Sequence, residues 1–150
     1  MFSRWFKPKP APANSSEEVE LARLVGDIEQ RPWAQLSKQE RVVLAVWQLE
    51  AEVNNGGFDQ YFRNSAGEHA PWAIEALEEI GAPNCAAIVR RAVRLVVGEV
   101  GEWQKARGAF LAASPDLEGA LETLDQEFYR YPDDLERRLS EYLGGWRSGS

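Results

Sequence analysis

Histidine and cysteine are each present once in 150 residues, as His69 and Cys85. A lone cysteine excludes an intramolecular disulfide and a cysteine-based zinc site, and it suits a reducing compartment, so the chain is expected in the cytoplasm. One histidine leaves no H-E-x-x-H pair, and there is no Asp-rich calcium loop, so no metal is expected. The glycine-rich loop that cradles phosphate is also missing. Its nearest approach, Gly56-Gly57, is followed by neither Lys-Ser nor Lys-Thr and does not follow a strand, so no cofactor is expected. No run approaches the roughly 18 consecutive apolar residues of a membrane span. The opening MFSRWFKPKPAPANSS is interrupted by Pro8, Pro10 and Pro12 and does not read as a secretory leader. No alternating strand pattern and no internal repeat is visible.

These absences leave little for catalysis. His69 precedes Pro71 at a place where polar residues commonly start a helix, and Cys85, followed by Ala86, Ala87 and Ile88, reads as a buried, inert thiol. Adjacent carboxylates such as Glu78 and Glu79, or Asp133 and Asp134, point to different parts of a helix surface rather than forming an acid/base pair. A hydrolase built on His69 or Cys85 is the weakest functional class, and the chain reads as non-enzymatic.

What is present is helical periodicity. Residues 1–16 read as an extended arm rich in Pro, Ala, Ser and Lys, in which Phe2, Trp5 and Phe6 alternate with Arg4, Lys7 and Lys9. The plain reading of the arm is a tail; the other is weak contact with an anionic membrane surface. From residue 17 onward the pattern predicts one all-α domain of six or seven helices. Ser15 and Glu18 make a capping box for a first helix over 17–30, which Pro32 stops. Ser37 and Glu40 make a second box, opening a helix so apolar around its middle that it should be central. Asn54, Asn55, Gly56 and Gly57 should end that helix, and Phe58, Tyr61 and Phe62 should form a short aromatic turn. Pro71 and Gly81 bracket the next helix, and Asn84 is placed to cap the one after, whose arginines 90, 91 and 94 share one face. A helix over 102–113 precedes Pro115. Leu117, Leu121, Leu124 and Phe128 then mark one helix face, and Leu135, Leu139, Tyr142 and Leu143 mark a last helix ended by Gly144 and Gly145.

Charge is the strongest positive feature. The chain carries 17 basic and 24 acidic residues; the arm holds three of the bases and no acid, so the body from Glu17 on has a net charge of −10. Such a body repels nucleic acid and attracts basic partners. Residues 116–136 hold eight acids against Arg130 alone. Glu118, Glu122, Asp125, Asp133, Asp134 and Glu136 are expected to stand on solvent as an anionic, partner-binding face. Steps of four residues place helical charges roughly 6 Å apart, a row that a DNA-binding surface could take for phosphates.

The segment NGGFDQYFRNSAGEHAPWAIEALEEIGA, Asn55 to Ala82, resembles the signature of a bacterial all-helical family named after a DNA-mimic protein. The resembling residues include Asn55, Gly56, Gly57, Phe58, Gln60, Tyr61, Phe62, Asn64, Ser65 and Gly67, continuing to Ala76, Leu77, Ile80 and Gly81. A looser likeness runs from Leu124 to Leu143. The resemblance implies an all-α fold, a homodimer, and occupation of the DNA-binding surface of a helix-turn-helix regulator. The signature residues themselves read as structural: glycines for a tight turn, aromatics that pack, and Gln60 or Asn64 bonding loop backbone. This chain departs from a uniformly anionic surface through its arm and through Arg90, Arg91 and Arg94, which Glu75, Glu78 or Glu79 are placed to neutralise. The competing reading is a structural or immunity-type interaction module that uses an apolar patch.

Overall fold

The computed structural model describes residues 15–98, 101–113 and 115–149. Seven α-helices and no strand are found among them: α1 (Ser15–Glu29), α2 (Lys38–Arg63), α3 (Ala70–Glu79), α4 (Pro83–Val97), α5 (Trp103–Ala113), α6 (Glu118–Tyr129) and α7 (Leu135–Gly149). Two 3₁₀ turns, Trp33–Gln35 and Ser65–His69, lead into α2 and α3. This is the all-α bundle that periodicity predicts. The expected arm lies outside the described residues as far as residue 14, while Ser15 and Ser16 already belong to α1.

α2 is the axis of the bundle, packed against α1, α3, α6 and α7. Val43, Val46, Leu49 and Val53 are fully buried along it. Each side chain of this size contributes about 1.5–3 kcal/mol when removed from water, which is why an apolar middle drives a helix to the centre. The Ser37–Glu40 capping box forms as predicted, each residue satisfying a backbone N–H of the other.

The glycine pair ends the first stretch of this helix, as expected, at a kink from which a second helical stretch starts. Gly56 and Gly57 leave helical geometry (Gly57 at φ 76°, ψ −176°), and the chain then resumes as helix to Arg63, so Phe58, Tyr61 and Phe62 are helical and not a turn. A helix that restarts exposes N–H groups without partners. The Phe58 N–H donates to Asp125 Oδ1 of α6 at 2.8 Å. Any Cβ at Gly57 would run into the Asp125 carboxylate, and the positive φ independently favours glycine.

Other signature residues tie the two halves of α2 together. Gln60 and Asn64, both beyond the bend, donate side-chain amide hydrogens to Glu52 before it (3.0 and 2.8 Å), where backbone partners were expected. Asn55 is exposed at the bend. Phe58 and Phe62 pack on each other and on Phe128 and Trp103 respectively. At the end of α2 the Arg107 guanidinium of α5 donates to the carbonyls of Phe62, Arg63 and Asn64, capping a helix C-terminus with a cation. Trp103 Nε1 donates to the Gly67 carbonyl at 2.9 Å, and a Cβ at Gly67 would strike the Tyr61 carbonyl.

One further boundary differs from expectation. α7 runs through Gly144 and Gly145 to Gly149, because a glycine inside a helix costs only about 1 kcal/mol and does not by itself stop it. Tyr131 carries the left-handed conformation that follows α6 (φ 51°), a position where glycine or asparagine is usual. Its hydroxyl donates to buried Glu50 and accepts from Asn54, which fixes the residue in place.

Candidate protein-interaction surface

The six acids expected to form one solvent-facing stripe divide among several jobs. Asp125 is a correction: it is 5% exposed and caps the restarted half of α2. Its position explains this. At 3.6 residues per turn it lies about 40° around the helix from Leu121, beside the apolar stripe, whereas Glu122 lies about 100° away. Asp133 is half-buried and performs the role predicted for Asn84. Its Oδ2 accepts from the Cys85 N–H at 2.8 Å and its Oδ1 from the Asn84 side chain at 3.0 Å, so α4 is capped by a residue 48 positions later. The residue preceding α4, Ala82, has no side chain able to cap. Asp134, exposed, accepts from the Arg137 N–H at the start of α7. Glu136 is half-buried in the first turn of α7. Glu122 is half-buried, and the side chain of Glu118 lies outside the described residues.

The arginine cluster is largely neutralised within the fold. Arg91 holds Glu127 of α6 through two hydrogen bonds of 2.7 and 3.0 Å, a pairing that raises the arginine pKa and lowers that of the carboxyl. Arg90 pairs with Glu78 of α3, one of the partners foreseen. These exposed pairs also bind α4 to its neighbours.

The two catalytic candidates differ in their surroundings. Burial and the facing Asp133 push the Cys85 thiol up to about 12, far from the thiolate a nucleophile requires. His69 stacks face to face on Trp33 with ring centroids 3.8 Å apart. Desolvation lowers its pKa, Arg41 and Arg107 lower it further, and Glu68 opposes them. The described residues contain no group of three His, Cys, Asp or Glu side chains able to hold a metal ion. No helix among them is long and apolar enough to cross a membrane.

The surface around His69 combines aromatic rings with carboxylates. A cleft of about 350 Å³ is lined by Glu68, His69, Trp72, Glu75, Trp103 and Gln104, together with Pro71. Trp72 meets Trp33 edge to face at 5.6 Å, and the Arg41 guanidinium lies 5.4 Å from the Trp33 ring. Glu68 and Glu75 are exposed, and among the described residues neither has a hydrogen-bond or ion-pair partner. In the sequence only His69 stands out, and this grouping is not evident. The only signal for it was two acids beside two aromatic residues at 68–75.

The chain matches the family model described as DMP19-like protein over residues 34–145 and belongs to that family. The matched span takes in α2 through most of α7, including the bend, the capping carboxylates and the cleft. No curated protein matches, and no solved structure matches.

Proposed function

We propose that this member of the DMP19-like family is a non-enzymatic regulator that binds the basic surface of a DNA-binding protein, in the manner of a DNA mimic, and that a transcriptional regulator is the specific target. Membership of a family named after a DNA mimic carries the reading. The net charge of −10 on the body supports it, because an anionic protein of this size repels DNA and is drawn to the surfaces that bind DNA. The exposed carboxylates of Asp134, Glu68 and Glu75, with half-buried Glu122 at the margin, supply the anionic surface that this reading needs. Asp125 lies inside and takes no part.

Binding of this kind depends on salt, since exposed charges are screened over about 10 Å at 0.1 M ionic strength. The test immobilises the full chain, captures proteins from a source-cell lysate at low salt, and challenges each captured protein with duplex DNA. The expected result is a DNA-binding protein that duplex DNA displaces and that raised salt releases. A captured protein that holds DNA and this chain together, or stays bound at high salt, overturns the reading. Capture that survives neutralisation of the outward carboxylates assigns the contact to an apolar surface instead.

A further inference from the structure

We propose that the cleft between the 65–69 turn, α3 and the start of α5 receives the guanidinium of an arginine projecting from the basic partner. The inference rests on the regulator reading above and deepens it, by naming the anchor where the partner is gripped.

The cleft offers the two features that recognise guanidinium together. One is an aromatic wall: the partly exposed Trp72 ring, edge-on to Trp33, and Trp103, whose indole N–H is already engaged by the Gly67 carbonyl and which is therefore held in place. The other is a pair of exposed carboxylates, Glu68 and Glu75, with no hydrogen-bond or ion-pair partner among the described residues. A planar cation stacks on an indole face and donates in parallel to carboxylate oxygens, which a compact ammonium does less well. The same chemistry is already in use next door, where the Arg41 guanidinium lies over Trp33.

Opposing charges are present, with their donor hydrogens turned to backbone carbonyls. Arg41 and Arg107 face His69 from α2 and α5, but Arg41 donates to the carbonyls of Trp33 and Ala34, and Arg107 to those of Phe62, Arg63 and Asn64. The N-terminus of α3 adds a partial positive charge of roughly half a unit. Glu68 and Glu75 line the cleft itself, whereas Arg41 and Arg107 do not, so the lining disfavours an anionic occupant, and the half-buried tryptophan favours one that can stack. Tryptophan is among the residues that most often anchor protein contacts.

The probe is acetylated, amidated tri-arginine, titrated into the full chain beside tri-lysine and the neutral tri-citrulline. Proton–nitrogen correlation spectra read the indole N–H resonances of Trp72 and Trp103. Tri-arginine is expected to shift the Trp72 resonance saturably, tri-lysine to bind more weakly, and tri-citrulline to leave it unmoved. Glu68→Gln with Glu75→Gln, both at exposed positions, should weaken tri-arginine binding about tenfold with the rest of the spectrum unchanged. An unmoved Trp72 resonance, equal binding of tri-citrulline or tri-lysine, or undiminished binding by the double variant overturns the assignment. The two readings fail separately. If the double variant retains the captured DNA-binding protein at wild-type affinity, the cleft assignment falls and the regulator reading stands. If the wild type captures no DNA-binding protein while tri-arginine still occupies the cleft, the regulator reading falls and the cation site stands.

Discussion

Residues 116–136 and residues 68–79 are both acidic, the first with eight acids and one base, the second with four acids and no lysine or arginine. In the first stretch Asp125, Asp133 and Asp134 accept hydrogen bonds from backbone N–H groups where helices start, and Glu127 is held by Arg91. In the second, Glu78 and Glu79 make exposed pairs with Arg90 and Lys38, while Glu68 and Glu75 stand at the rim of an aromatic cleft. Four acids of the denser stretch cap helices or hold an arginine, and the sparser one leaves two carboxylates at the rim of a cleft. Counting charges along a sequence does not separate these uses, because a carboxylate that caps a helix and one that meets solvent look alike until the neighbouring chain is in place.

The comparison can be broken most forcefully at the bend in α2. Gly57→Ala should cost about 3 kcal/mol in denaturant unfolding, since the added methyl group requires a positive φ and displaces the Asp125 carboxylate. Asp125→Ala, which leaves the buried Phe58 N–H without a partner, should cost about 1–3 kcal/mol. Wild-type stability in that variant, with partner binding lost, would return Asp125 to the surface role first expected of it. Asp133→Ala should cost about 1 kcal/mol, the usual worth of a helix N-cap, and should loosen the start of α4 in hydrogen exchange. By contrast, Glu68→Gln and Glu75→Gln should each change stability by less than about 0.5 kcal/mol, because exposed acids without partners stabilise little.

His69 sharpens the comparison through pH. Its folded-state pKa is depressed below the ordinary 6.5, with burial as the leading cause, so the unfolded chain binds a proton more readily than the folded one. The stabilisation is complete above about pH 6.5 and is lost progressively as pH falls through the folded value. Unfolding midpoints measured from pH 7.5 to 5 should therefore fall for the wild type. His69→Phe, which keeps a ring against Trp33, should flatten that part of the profile.

Much of the fold was legible in the sequence. The Ser37–Glu40 box, Pro71 and Gly81 at the ends of α3, and the spacing of Leu121, Leu124 and Phe128 each act locally, so composition and period reveal them. What escaped is long-range. Asp133 caps a helix 48 residues earlier, Tyr131 reaches Glu50 across 81, and Arg107 closes α2 from α5. The inward turn of Asp125 left a trace in its angular place beside Leu121, but its partner, the Phe58 N–H, becomes available only because α2 restarts after Gly57. The cleft was the least legible feature, since it requires the 65–69 turn, α3 and α5 to meet.

The most direct test of the account measures partner affinity and unfolding side by side for two double variants, Glu68→Gln with Glu75→Gln and Asp125→Asn with Asp133→Asn. The account predicts that the first loses affinity at unchanged stability, and that the second loses stability while its folded fraction binds as the wild type does. The reverse pattern, with affinity lost on changing Asp125 and Asp133 and retained on changing Glu68 and Glu75, would contradict it.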